Sequence, residues 1–204
     1  SPDKHCINYV KLDNNPDVTC LIGECGLGLP TPWEPNDQLF VTGLGIDYGF
    51  NANSINYGHK DMYSRHTVNW KQGEYDPRTG NQLRTIPEGS LASVRLGNWD
   101  INAEAEAIRY RYLVDTMQAK IILMKYAVVL EAPGHGLEND PYFRLRLKDE
   151  NGNTISTTCG DFEFSPMNTA IDWNVYEAYV WKDWTTIGMN IAKYHGQVIE
   201  IELI

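Results

Sequence analysis

From Ala107 onward the chain alternates apolar and polar side chains with a period of two. In "AIRYRYLVD" (107–115), Ile108, Tyr110, Tyr112 and Val114 fall on one face while Arg109 and Arg111 fall on the other. In "YFRLRLKD" (142–149), Phe143, Leu145 and Leu147 oppose Arg144, Arg146 and Lys148 in the same way. Successive strand side chains point to opposite faces, so both segments predict half-buried antiparallel strands. The closing stretch repeats the pattern: Ile199, Ile201 and Leu203 define a dry face, and Glu200 and Glu202 a wet one. Ile187, Met189 and Ile191 carry the same period just before it, with Gly196 between as the turn residue. "KIILMKYAVVLE" (120–131) is almost continuously apolar and ends at Pro133-Gly134. It predicts a strand covered on both faces in the middle of a sheet.

Asn151-Gly152 is a strong hairpin signal and predicts that the strand after "YFRLRLKD" folds back on it. "MYSRHTVNW" (62–70) and "ASVRLG" (92–97) read as two further strands, with the turn-rich "KQGEYDPRTGNQLRTIPEGS" (71–90) between them. Residues 23–61 are rich in Gly, Pro and Asn and hold neither a period of 2 nor one of 3.6. This predicts a long irregular layer, far beyond the usual connection of about 4–6 residues. Only "WDINAEAEA" (99–107) offers a helical option, and it is short. The expectation is an all-β sandwich, a single domain over 1–204 with a loop-rich part at 1–61.

Composition narrows the function classes. With 204 residues and 42% hydrophobic content the chain can bury a sizeable core, and no stretch approaches the roughly 20 apolar residues of a membrane span. A formal charge of −10 sets it against phosphate backbones, so nucleic acid is excluded as the expected partner. The chain opens at Ser1-Pro2 without a signal-like segment, as expected of a mature or cut fragment. Cys6, Cys20, Cys25 and Cys159 show no repeated C-x-x-C spacing, and three pairings are open to them. Three fall within the first 25 residues, which suits a disulfide-stapled segment of an exported protein; buried free thiols are the alternative.

Several blocks in order, "SVRLGN" (93–98), "LMKYAVVLEAPGH" (123–135), "FRLRLKDENGN" (143–153), "CGDF" (159–162) and "WKDWTTIGMNIAKYHGQVIEIEL" (181–203), resemble a jelly-roll module of large secreted surface proteins of gut and gliding bacteria. The module is similar to MAM-type and cleaved-adhesin β-sandwiches. The resemblance covers about residues 62–204, with a fainter echo in "CINYVKLDNNPDVTC". It implies a jelly roll, an extracellular setting at a bacterial surface, and a role in adhesion or glycan contact. In that family the last segment continues past the position of Ile204 into a Thr-x-Asp-Cys run and an aromatic strand. The resemblance therefore implies that a closing strand is missing and that Cys159 would find its partner there. It further implies that the C-terminal sheet edge is open to pairing with another chain.

Catalytic motifs are absent: the histidines stand singly, and neither H-E-x-x-H nor G-x-S-x-G occurs. Glu104 with Glu106, Glu131 with Glu138, or Asp161 with Glu163 could supply the carboxylate pair of a glycoside hydrolase, but Glu104 and Glu106 share a face expected to be wet and to serve solubility. Calcium, a hard cation taking oxygen ligands in loops, suits Asp13, Asn14 and Asp17 of "LDNNPD", or Asn98, Asp100 and Glu104. MAM-like sandwiches hold a structural calcium in such loops, so a structural calcium is the one cofactor the resemblance implies. Asp and Asn are equally ordinary turn formers.

Aromatic residues are the remaining lead, with six tryptophans and twelve tyrosines. Sugar rings stack on exposed aromatic faces beside hydrogen-bonding amides and carboxylates. Trp33, Trp70, Trp99 and Trp173 stand in loop-like or strand-end contexts, whereas Trp181 and Trp184 read as core. The excursion from His66 to Arg84 gathers His66, Asn69, Trp70, Asp76, Arg78 and Asn81, and with Trp99 it forms the candidate ligand site. The expected function is a non-catalytic adhesion or carbohydrate-binding module whose partner is a glycan or another surface protein. The alternatives are a structural spacer docking through its open edge and a glycoside hydrolase.

Overall fold

A computed structural model describes residues 38–44, 51–52, 56–57, 65–69, 71–90, 93–99, 104–117, 119–132, 140–155 and 161–204. In chain order the strands are β1 (Gln38–Leu44), β2 (Asn51–Ala52), β3 (Asn56–Tyr57), β4 (His66–Asn69), β5 (Ser93–Leu96), β6 (Glu104–Leu113), β7 (Ile121–Glu131), β8 (Phe143–Asp149), β9 (Asp161–Phe164), β10 (Asn174–Tyr176), β11 (Tyr179–Asn190) and β12 (Val198–Leu203). Only two short 3-10 turns, Pro77–Thr79 and Ala192–Tyr194, interrupt the β structure among the described residues. The all-β expectation holds.

The strands form a six-stranded sheet in the order β2-β1-β6-β12-β8-β9, a three-stranded sheet β10-β11-β7, and a smaller sheet β3-β4-β5. The first two face one another. Ile122, Met124, Tyr126 and Val128 of β7 and Met189 of β11 share one buried cluster with Ile108 of β6, Leu145 and Leu147 of β8, and Ile199, Ile201 and Leu203 of β12. Apart from those of β7, these are the residues that the period of two assigns to the dry faces. At one end Tyr126, Phe143, Phe162 and Phe164 stack at centroid distances of 5.4–6.4 Å, and Trp173 meets Phe164 edge-on at 6.4 Å. Trp173 is therefore a core-side residue rather than a free platform.

The Asn151-Gly152 hairpin forms as expected. Asp149 holds it closed, its Oδ1 accepting from the backbone N–H of Asn151 and of Asn153, both at 2.9 Å. The side-chain and backbone hydrogen bonds of Asn153 hold the Asp149 carboxyl below the usual carboxylate range.

Four expectations are corrected. The first concerns 99–107, whose residues 104–107 belong not to a helix but to β6, which pairs with β1 on one side and β12 on the other, while 100–103 lie outside the described residues. The ladder with β1, which covers all of 104–107, outweighs the helix propensity of an Ala/Glu run too short to nucleate a helix alone. In the second, β7 is not the middle of a sheet: among the described strands it pairs with β11 alone. Leu123 and Lys125 are accordingly exposed while Ile122, Met124 and Tyr126 are buried. The third lies within 1–61, where β1 is a seven-residue strand paired along its full length with β6. The fourth is the open C-terminal edge, which does not exist at β12. That strand lies between β6 and β8, and Ile204 exchanges both backbone hydrogen bonds with Arg144, at 2.8 and 2.9 Å.

Candidate functional site

The turn-rich segment 71–90 is a small hairpin with two distinct faces. Asp76 N–H donates to the Leu83 carbonyl at 2.9 Å and Thr85 N–H to the Glu74 carbonyl at 3.0 Å, which makes Tyr75 and Arg84 directly opposed partners. Bonds that bracket a residue pair in this way define the non-hydrogen-bonded site of an antiparallel ladder, where facing side chains come closest. Leu83 and Thr79 turn inward and are buried, whereas Tyr75 is 41% exposed and Arg84 is exposed.

The tip of the hairpin is a 3-10 turn assembled from its own polar residues. Asp76 is the N-cap, its Oδ1 accepting from the Arg78 backbone N–H at 2.7 Å. The Thr79 hydroxyl donates to the Asp76 carbonyl at 2.7 Å and accepts from the backbone N–H of Leu83 at 3.0 Å. Gly80 closes the turn at φ 65, and Asn81 follows at φ 60, exposed. Both angles lie in the left-handed region that Gly and Asn tolerate best.

The hairpin lies over the outer face of the three-stranded sheet. The β11 register puts Trp181 opposite Val129 and Tyr179 opposite Glu131, on the face turned away from the main core. Yet Trp181 is only 5% exposed, and the Arg78 guanidinium sits 4.9 Å over the Tyr179 ring. A register shift between Lys182 and Thr185 interrupts the ladder, and there the Trp184 Nε1–H donates to the Arg84 carbonyl at 2.7 Å. Lys125 on β7 donates to the Glu88 carbonyl at 3.1 Å. The hairpin is thus clamped to the sheet at three points, and the apolar alternation of β11 serves two layers. Trp181 is buried as expected but beneath the hairpin, outside the main core cluster, and Trp184 is a half-buried clamp rather than core. Replacing Trp184 with Phe keeps the aromatic contact and removes the donor. Because the freed carbonyl stays near water, a loss of about 0.5 kcal/mol is expected in urea unfolding.

The sequence-derived site residues divide accordingly. Asp76, Arg78 and Asn81 do come together, at the hairpin tip, and Arg78 reaches Trp99 by donating to its carbonyl at 3.3 Å. Trp99 is not an open platform: the Arg95 guanidinium lies 4.7 Å over its ring. His66 is a correction. It is fully enclosed on β4 opposite Leu96, so no ligand reaches it, because β4 is covered on both faces, as the equally buried Thr67 beside it shows. Asn69 is also buried, donating to the Ser93 hydroxyl at 3.0 Å. Trp70, Trp33, the four cysteines, Asp100 and the calcium candidates Asp13, Asn14 and Asp17 lie outside the described residues. Among the described residues no group of three His, Cys, Asp or Glu side chains is placed to hold a metal ion. Tyr75 and Arg84 were missed. The signal was present in Asp76-Pro77 and Gly80-Asn81, turn pairs that bring the residues before and after them face to face.

Of the carboxylates that could have formed a hydrolytic pair, Glu106, Asp161 and Glu163 are committed to ion pairs, and Glu131, half-buried at the end of β7, has no counterpart among the described residues. Glu106 is not on a wet face: it is buried with its Oε1 2.7 Å from the Arg65 Nε. Asp161 takes a two-pronged contact from Arg144 at 3.0 and 3.1 Å, and Glu163 lies 3.7 Å from the same guanidinium. The side chain of Glu104 and all of Glu138 lie outside the described residues. Among the described residues no helix is long and apolar enough to cross a membrane. No family model, curated protein or solved structure matches the chain.

Proposed function

We propose that the chain is a non-catalytic carbohydrate-binding module of jelly-roll type, serving adhesion at a bacterial surface. The observation that carries this is the Tyr75–Arg84 pair, an exposed aromatic ring beside an exposed guanidinium on a braced hairpin. A pyranose ring stacks its C–H face on such a phenol, while neighbouring donors take its hydroxyls. Gln82 and Asn81, both exposed on the same hairpin, supply further amide donors and acceptors. Sites of this kind need rigid support, and the clamps from Trp184, Arg78 and Lys125 supply it.

Affinity electrophoresis through a panel of polysaccharide gels tests the proposal. Retention of the wild type is expected on at least one gel, and Tyr75→Ala is expected to weaken it about tenfold, or about 1.4 kcal/mol. Trp99→Ala should leave retention within about twofold, since the Arg95 guanidinium already covers that ring. No retention on any gel would overturn carbohydrate binding and leave the structural spacer as the better account.

A further inference from the structure

We propose that the Tyr75–Arg84 pair selects acidic glycans, polymers whose sugars carry a carboxylate or sulfate group. This rests on the glycan reading of the platform and adds the class of sugar. The sequence has eight arginines, all of them among the described residues. Five, namely Arg65, Arg109, Arg111, Arg144 and Arg146, are ion-paired to carboxylates. Arg78 and Arg95 lie over aromatic rings. Among the described residues the Arg84 guanidinium alone has neither kind of partner, and it is exposed.

Among the described residues no contact calls for a cation at that position. Only the backbone carbonyl of Arg84 braces the hairpin, and any residue could supply it. What a guanidinium adds is a planar fork of N–H donors that meets a carboxylate or sulfate with two parallel hydrogen bonds. Facing side chains in a non-hydrogen-bonded pair have Cβ atoms about 4.5–5.5 Å apart. That spacing lets a sugar lie on the Tyr75 ring with its acidic substituent turned toward Arg84. A neutral sugar would engage the ring and leave the fork in water.

The net charge of the chain sharpens the selection. At −10 the protein as a whole repels a polyanion, so retention on one has to come from a local contact. Added salt screens the long-range repulsion more effectively than the short bidentate contact. Binding should therefore survive at about 0.15 M salt, where the Debye length is about 8 Å and adsorption by a diffuse charge field fades.

The test compares dissociation constants for polygalacturonate, chondroitin sulfate and neutral dextran and β-glucan at that ionic strength. The wild type is expected to bind one or both acidic polymers at least tenfold more tightly than the neutral ones. Retention on the carboxylated or the sulfated polymer alone identifies which acid group is taken. Arg84→Gln should weaken the acidic polymer about tenfold and leave neutral polymers unchanged, with Arg84→Lys in between. An unchanged melting temperature for both variants separates a lost contact from a lost fold. Equal, Tyr75-dependent binding of neutral and acidic polymers would overturn the acidic preference and leave the glycan site standing. So would an Arg84→Gln variant that binds the acidic polymer as well as the wild type does. Failure to bind any of the polymers would remove the site and the preference together.

Discussion

Replacing Glu202 with alanine is expected to destabilise the protein by about 3 kcal/mol, the largest effect of any single charged residue on the six-stranded sheet. Glu202 lies on the face of β12 turned away from the core, yet its side chain is 1% exposed. Arg109 of β6 and Arg146 of β8 are its direct cross-strand partners. Its Oε2 is 2.6 Å from the Arg109 Nε, and its Oε1 is 2.6 Å from the Lys148 Nζ and 3.4 Å from the Arg146 Nε. One carboxylate therefore compensates three cations on a half-covered face. Removing one partner of a buried pair costs about 3–5 kcal/mol; the low end applies because the three cations keep some contact with water. Burial alone would push the Glu202 carboxyl up, but the hydrogen bonds and charges of Lys148 and Arg109 more than reverse this and hold it below the usual carboxylate range. A carboxyl whose folded pKa is depressed contributes its full stability above the unfolded value of about 4.3 and loses it as pH falls through the folded pKa. Stability of the wild type should therefore drop as pH falls below about 4.3, and Glu202→Gln should flatten that acid limb while costing less at pH 7 than Glu202→Ala. Urea midpoints at pH 7 and pH 3 decide it. An alanine variant as stable as the wild type at pH 7, or a glutamine variant with an unchanged acid limb, would show that the cluster contributes nothing.

Glu202 also marks how far the sequence could be read. The alternation in "VIEIEL" located β12 and assigned Ile199, Ile201 and Leu203 to the core, where they lie. It could not show that the other face is partly closed, because enclosure depends on which strands flank it, and strand order is not a local property. The two neighbours are β6 and β8, some 90 and 55 residues away, and both happen to present cations toward Glu202. A complementary clue was legible in hindsight: alternating Arg on β6, Arg and Lys on β8, and alternating Glu on β12 are the charge pattern of adjacent strands. Burial of β7 was overestimated for the opposite reason. An unbroken apolar run fits either a strand covered twice along its length or one whose outer face is left open at Leu123, and only the tertiary packing distinguishes them. At the site, composition pointed to the right excursion but to the wrong side chains within it. Asp76 and Arg78 have the chemistry of ligand contacts, yet a polar residue in a tight turn is as readily consumed by the backbone, as the cap at Asp76 shows. Tyr75 and Arg84 carry no ligand signature of their own, and only the turn pairs Asp76-Pro77 and Gly80-Asn81 pointed to the pairing that sets them side by side.

Gly80→Val carries the second large effect, about 2–3 kcal/mol, and it links the fold to the proposed site. Two physical terms add. Gly80 closes the 3-10 turn at φ 65, where a Cβ costs about 1–2 kcal/mol and a β-branched side chain more. A Cβ there would also stand 2.7 Å from the Cδ2 and Cε2 of Tyr176, the last residue of β10. Tyr176 is half open to water, so its ring can yield outward, and the hairpin then loses its seat on the β10–β11 turn rather than the protein its core. Gly89→Ala separates the two terms. At φ 77 with nothing within 4 Å of the added Cβ, it pays the backbone cost alone. Gly80→Ala should therefore be the more destabilising alanine variant, the difference being the contact with Tyr176. Because that contact holds the hairpin that presents Tyr75 and Arg84, Gly80→Val should weaken glycan retention at temperatures where the protein is still folded. Gly89→Ala should not. Equal melting temperatures for Gly80→Ala and Gly89→Ala would mean that the ring of Tyr176 does not seat the hairpin. Full retention by Gly80→Val would mean that the platform does not depend on that seat.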